Sequence, residues 1–157
     1  MEPLKSNESN NCSESKNERL NFGTNALKPS AAFVGASWMA LIIGITSYCI
    51  GLNNSDMAYN EKGYYFTILL FGLFSVISVQ KSVRDRLEGI PVTDLYYSIS
   101  WFSTIASIVL LIIGLWNADL LLSEKGFFGM SFVLGMFSAL AVQKNTRDLK
   151  QFESTNI

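Results

Sequence analysis

Four stretches of this chain carry no Asp, Glu, Lys or Arg: residues 31–52, 64–79, 95–115 and 127–142. They run 16 to 22 residues each, close to the ~20 needed for a helix to cross ~30 Å of hydrocarbon. A soluble amphipathic helix would interrupt such runs with polar residues at helical spacing. With 49% hydrophobic and only 16% charged residues, the chain segregates its polarity to the ends of these runs. The expectation is an all-α membrane protein with four transmembrane helices.

The runs are related. Displaced by 63 positions, the segment 37–85 aligns without a gap on 100–148, with 20 identities in 49 positions. Trp38 meets Trp101, Gly51 meets Gly114, Asn54 meets Asn117, Asp56 meets Asp119, and Glu61-Lys62-Gly63 meets Glu124-Lys125-Gly126. Further on, Gly72 meets Gly135, Phe74-Ser75 meets Phe137-Ser138, Val79-Gln80-Lys81 meets Val142-Gln143-Lys144, and Arg84-Asp85 meets Arg147-Asp148. Chance agreement between apolar runs would favour Leu and Ile, whereas these matches include Asn, Asp, Glu, Lys, Gln and Arg. An internal duplication follows. Each unit holds two helices, an even number, so both units point the same way across the membrane as tandem parallel-repeat hairpins.

The chain divides accordingly. Residues 1–30 form a tail rich in Ser, Asn, Glu and Lys, expected to be disordered because it cannot bury enough apolar surface. It lacks the basic start and apolar core of a signal peptide. Residues 31–93 form the first two-helix membrane unit, 94–150 the second, and 151–157 a short polar tail. Pro29-Ser30 opens the first helix, with Ser30 as cap, and Gly51 is expected to close it. Ala32, Ala36, Ala40 and Gly44 place small side chains on one face, as do Ser131, Gly135 and Ala139, a pattern that lets helices approach closely in lipid. Asn60 and Ser123 are expected as caps of the second and fourth helices, with Glu61 and Glu124 in the first turn. A loop of about ten residues around Gly89-Ile90-Pro91 joins the units, and Tyr96, Tyr97 and Trp101 read as an interfacial aromatic belt.

The motifs Gly114-Leu115-Trp116-Asn117-Ala118, Ser123-Glu124-Lys125-Gly126-Phe127, Asn60-Glu61-Lys62-Gly63-Tyr64-Tyr65-Phe66 and the two Val-Gln-Lys-x-x-Arg-Asp endings resemble the two-helix domain of the YiaA/YiaB family of bacterial inner-membrane proteins. The resemblance covers about residues 38–148. It implies a two-helix membrane domain in tandem and an inner-membrane location, and it carries no activity to these residues. Asn53 stands where the family pattern has Trp.

Two sets of repeated polar residues are candidate sites. Lys81, Arg84, Lys144 and Arg147 follow the apolar runs. Their plain role is snorkelling and interfacial anchoring, and their sharper one is contact with an anionic lipid head group, one site per unit. Asn54, Asp56, Glu61 and Lys62, with Asn117, Asp119, Glu124 and Lys125, lie on the two connectors. Turn formation and helix capping account for them, unless the loops meet near a symmetry axis and Asp56 and Asp119 hold a cation there. Gly72 and Gly135 are expected at helix contacts.

No catalytic constellation is present. The chain has no His and two Cys, so no zinc or haem ligand set assembles in the usual way, and no cofactor is expected. Cys12 and Cys49 are expected on opposite sides of the membrane, unpaired. A net charge of −1 without an aromatic-interleaved basic stretch argues against nucleic acid. Ion-coupled transporters usually carry an intramembrane carboxylate, and none lies inside these runs. Ser100, Ser103, Thr104 and Ser107 on the third helix are expected to bond locally or between helices. Tyr48 and Thr46 are weaker candidates for lining a pathway.

The expected function is non-enzymatic, a structural, accessory or stress-related role, with self-association or a membrane protein partner. The alternative is a small-solute transporter or permeation element formed by the two repeats. A packed axis between the halves favours the first and a wet one the second. Ten of the twelve basic residues flank the apolar runs away from the connectors, which hold only Lys62 and Lys125. Orientation follows such asymmetry, so both termini are expected in the cytoplasm.

Overall fold

The structure, a computed structural model, describes residues 29–155, with side chains to residue 150. The polar tail with Cys12 lies outside the described residues. Four helices follow in order: α1 (Ala31–Asn54), α2 (Tyr59–Leu87), α3 (Asp94–Asn117) and α4 (Leu122–Thr155). The described residues contain no strand. Each helix is long and apolar enough to span a membrane, with mean hydropathies of 1.8, 1.7, 2.1 and 1.6 over the most apolar windows. Large apolar side chains point outward along the bundle, among them Ile42, Phe74, Phe102, Ile112, Val133 and Phe137. On a soluble surface such a belt would be an aggregation hazard; in a bilayer it faces lipid.

The covalent hairpins are not the packing units. α1 packs most extensively on α4, and α2 on α3, while α2 and α4 meet along the middle and α1 touches its own neighbour α2 only sparsely. The first helix of each unit therefore lies on the second helix of the other, and the two units interlock. α2 and α4 form the central pair: 44% of each apolar window is buried, against 17% for α1 and α3. On α2 the buried positions include Tyr65, Ile68, Leu69, Gly72, Ser75, Val76, Val79 and Ser82. Their equivalents Phe128, Ser131, Phe132, Gly135, Ser138, Ala139, Val142 and Asn145 are all buried on α4. The duplication thus builds an approximate two-fold about an axis between α2 and α4.

Close helix approach rests on glycine. A Cβ on Gly44 of α1 would lie 2.9 Å from the backbone N of Gly135 on α4, and one on Gly72 of α2 would lie 2.7 Å from Phe132 Cζ and 3.4 Å from Ser107 Oγ. Ser107 is the repeat equivalent of Gly44, so these are two forms of one contact. Gly51 and Gly114 are likewise paired: their added Cβ atoms would fall 2.7 Å from Phe127 Cε1 and 2.8 Å from Tyr64 Cε1.

Several helix ends differ from expectation. α1 continues through Gly51 to Asn54 and stops at Ser55 in extended conformation; Gly51 is there for the Phe127 ring, not for a left-handed cap. The glycine that does cap a helix is Gly89, at φ 72°. Ile90 N–H donates to Asp85 O (2.8 Å) and Gly89 N–H to Arg86 O (3.2 Å), the paired bonds of a Schellman end. The α2–α3 loop is shortened to residues 88–93 because both flanking helices extend past their apolar cores. Ser30 caps α1 as expected, its Oγ accepting from Phe33 N–H at 3.2 Å. Asn60 and Ser123 sit inside first turns rather than at caps. On α1, Ala32 and Ala36 are exposed while Ser37, Gly44, Tyr48 and Leu52 are buried. Four-residue steps turn about 40° beyond one revolution, so the alanine strip rotates off the contact that Gly44 occupies.

Candidate functional site

The polar residues collect at the two ends of the approximate two-fold axis. At the connector end, the Glu-Lys pair does the same work in both units. Ala58 N–H donates to Glu61 Oε2, and Leu121 N–H to Glu124 Oε2, both at 2.9 Å. Each glutamate thus satisfies a backbone donor at the start of its own helix and sets its charge against the positive end of the dipole. The next residue reaches back: Lys62 Nζ donates to Asn53 O at 3.0 Å and Lys125 Nζ to Trp116 O at 3.5 Å, the last turn of the preceding helix. Asn117 Nδ2 donates to Ile113 O (2.8 Å). Glutamate, lysine and the preceding helix end make a four-residue connector rigid without a turn glycine.

The interlock brings these connectors around one bowl of about 660 Å³, lined among others by Asp56, Glu61, Asn117, Asp119 and Glu124. Among the described residues, no three acidic or cysteine side chains gather closely enough to hold a metal ion. Beside the bowl lie two smaller pockets. One, about 290 Å³, is lined by Asn60, Glu61, Tyr64, Tyr65, Gly114, Asn117 and Ala118. The other, about 250 Å³, is lined by Gly51, Asn54, Ser55, Ser123, Glu124, Phe127 and Phe128. Every residue of one is the 63-shifted equivalent of a residue of the other. Of the eight connector candidates, the pockets gather Asn54, Glu61, Asn117 and Glu124. Asp56 and Asp119 stay on the bowl, and Lys62 and Lys125 are held at the helix ends.

At the opposite end, the four basic candidates split by type. Lys81 and Lys144 are exposed. Arg84 and Arg147 instead converge on one residue, Glu88: the Arg147 guanidinium is ion-paired to Glu88 Oε1, and Arg84 Nε lies 3.8 Å from the same oxygen. Arg84 also donates to Asp85 at 3.1 Å. The two arginines therefore meet across the axis at one shared carboxylate. Arg86 stacks over the Tyr97 ring, 4.2 Å from its centroid, and pairs with Asp94. Just above, the buried Oε1 atoms of the equivalent Gln80 and Gln143 have no hydrogen-bond partner.

Between the ends most serine and threonine hydroxyls bond within their own helix. Ser75, Ser78 and Ser138 each donate to the carbonyl four residues earlier, and on α3 Ser100, Thr104 and Ser107 bond within their own helix. Thr46 faces outward. Tyr48 is fully buried, its hydroxyl donating to Tyr65 O at 3.1 Å and its ring edge-on to Phe128 at 5.3 Å. Two residues escaped the sequence reading. Asn145 Nδ2 donates to Ser37 Oγ at 2.9 Å, a buried bond between α4 and α1; its repeat equivalent is Ser82, so identity between copies could not flag it. Glu88 has no identical counterpart either, and only its position four residues after Arg84 hinted at pairing.

The two units each match the family model described as the yiaA/B two helix domain, over residues 33–85 and 96–148. The chain is 57% identical over 119 residues to the inner membrane protein YiaA of Escherichia coli K12, covering 76% of this chain and 82% of the relative. It is 33% identical over 60 residues to the uncharacterized membrane protein YubF of Bacillus subtilis 168, covering 38% of this chain and 69% of that one. No solved structure matches. Two matched domains and an alignment spanning most of both chains establish that this multi-pass helical membrane protein belongs to the yiaA/B two-helix domain family.

Proposed function

We propose that the chain is a non-enzymatic accessory protein of the bacterial inner membrane, with a structural or stress-related role exerted through lipid and through a second copy or another membrane protein. One observation carries the reading: where the polar chemistry sits. Carboxylates and cations stay at the two ends, largely paired with one another or with helix ends. The middle of the axis is occupied by Leu69, Val76, Phe132, Met136 and Ala139, all buried. Transport between the repeats would need that position open, and no observation favours it. Both termini and the loop 88–93 face the cytoplasm, because the basic residues concentrate on that side.

Two measurements test this. Purification from native membrane in mild detergent, with lipids and proteins identified by mass spectrometry, should recover a stable partner or homo-oligomer; a monomer that moves a solute in reconstituted vesicles overturns the accessory role. Single cysteines, after replacement of Cys12 and Cys49, test the orientation at exposed positions. Asp56→Cys and Asp119→Cys should react with an impermeant reagent on intact spheroplasts and Ile90→Cys should not. The reverse pattern overturns it.

A further inference from the structure

The twin pockets have a chemistry of their own. Each is bounded by an aromatic corner, two consecutive rings set edge to face: Tyr64 and Tyr65 with centroids 5.4 Å apart at 77°, Phe127 and Phe128 6.1 Å apart at 74°. Glycine on the facing helix, Gly114 or Gly51, lets the corner sit directly against backbone. Each lining holds one carboxylate, Glu61 or Glu124, and the equivalent carboxamide, Asn117 or Asn54, joined by the Asn60 carboxamide in the first pocket and the Ser55 and Ser123 hydroxyls in the second, and no Lys or Arg takes part.

The pocket lined by Tyr64 and Tyr65 keeps acceptor oxygens that no group of the protein occupies. The Tyr64 hydroxyl donates to Leu110 O at 2.9 Å, and one of the two Asn117 Nδ2 hydrogens is taken by Ile113 O. Glu61 uses Oε2 for the Ala58 N–H. This leaves Glu61 Oε1 and Asn117 Oδ1 to accept from a guest. A negative charge, spare acceptors and aromatic faces within one small concavity select a cation that carries N–H donors. Exposed Trp116 and Tyr59 lie nearby in sequence, the residue types that mark the head-group level of a bilayer.

We propose that each pocket binds a primary ammonium group, one per repeat. Its source is either the head group of an ethanolamine lipid or a free small amine. The lining glutamate supplies the counter-charge and the aromatic corner the cation–π face. The glutamate's first duty, capping its helix, survives exchange for glutamine, whose carbonyl oxygen still accepts from the backbone N–H. Glu61→Gln and Glu124→Gln therefore remove charge while keeping the fold, and a melting curve checks that they do.

The test is native mass spectrometry of the full chain released from bilayers containing phosphatidylethanolamine and phosphatidylglycerol. The native chain should retain two ethanolamine lipids, either single variant one, and the double variant none, with glycerol lipids unchanged. Affinity at each altered pocket should fall about tenfold, the scale of one charge-assisted hydrogen bond. If the occupant is a free amine, ethanolammonium chloride should raise the melting temperature of the native chain above an equal concentration of sodium chloride, and the double variant should show no rise. Equal retention of both lipids by the native chain together with no ethanolammonium shift overturns the proposal. So does a response that the double variant keeps.

Discussion

Gly44 and Gly135 touch, yet adding one methyl group to each should have opposite consequences. An alanine Cβ at Gly44 would sit 2.9 Å from Gly135 N and 3.1 Å from Gly135 Cα, where ordinary contact is 3.4–4 Å. Those atoms are backbone, so relief requires α1 and α4 to part along their length. Overpacking of this kind costs about 1–3 kcal/mol, and the helix preference of Ala over Gly returns about 1 kcal/mol. Gly44→Ala should therefore destabilise by up to about 2 kcal/mol. At Gly135 an added Cβ meets no atom within 4 Å, so Gly135→Ala keeps only the gain and should be neutral or stabilising by up to about 1 kcal/mol. Reversible unfolding in mixed micelles, followed by circular dichroism against the mole fraction of a denaturing detergent, resolves a gap of about 2 kcal/mol between the variants. If Gly44→Ala is as stable as Gly135→Ala, α1 does not lie on α4 at this distance and the interlocked arrangement fails.

The same logic extends to the other half. Gly72→Ala should destabilise because its Cβ would strike the tip of the Phe132 ring. Phe132→Leu should relieve it by removing the ring atoms that the Cβ would strike, and the coupling in a double-mutant cycle should be about 1–2 kcal/mol. Asn145→Ala and Ser37→Ala should each cost about 1 kcal/mol, and the double variant no more than the larger single one, because both remove the one bond; additive losses would show that the bond does not form. Glu88→Ala should release Arg84 and Arg147 from their shared carboxylate and increase the phosphatidylglycerol that co-purifies. Unchanged retention would mean that the arginines do not take a lipid phosphate when freed.

Helix number and the duplication were readable because charge is absent from four runs of membrane length and because polar residues recur 63 positions apart. Helix ends were less so. Glycine at a helix end has two explanations, a left-handed cap or a close neighbour, and only the position of the Phe127 ring decides for the second at Gly51. Asn60 and Ser123 looked like caps, but Glu61 and Glu124 hold the backbone one turn earlier. The twin pockets were half legible. Their carboxylates and carboxamides stand out as repeated residues, whereas Tyr64, Tyr65 and Phe127 enter only as members of longer motifs and differ between the copies. Which helix faces which was invisible, since a repeat that pairs with itself and one that pairs with its copy show the same periodicity.

That last ambiguity bears on why the units are joined. α1 makes little contact with α2 in its own unit, so each unit depends on the other for most of its helix packing. A covalent loop of six residues, 88–93, replaces a bimolecular encounter with an intramolecular one and raises the effective concentration of the partner face. Once joined, the halves were free to differ at complementary places. Tyr48 faces one side of the core where Leu111 serves the other, the Phe132 ring fills the space before Gly72 where a Cβ at Gly135 would meet nothing within 4 Å, and Asn145 bonds Ser37 where Ser82 and Ser100 bond within their own helices. Each difference makes one pairing better than the alternative of two like units. The α1–α4 contact, with its interhelical hydrogen bond and backbone-to-backbone glycine approach, has become a distinct lock, so exchanging Asn145 for Ser should weaken that contact while leaving α2–α3 intact.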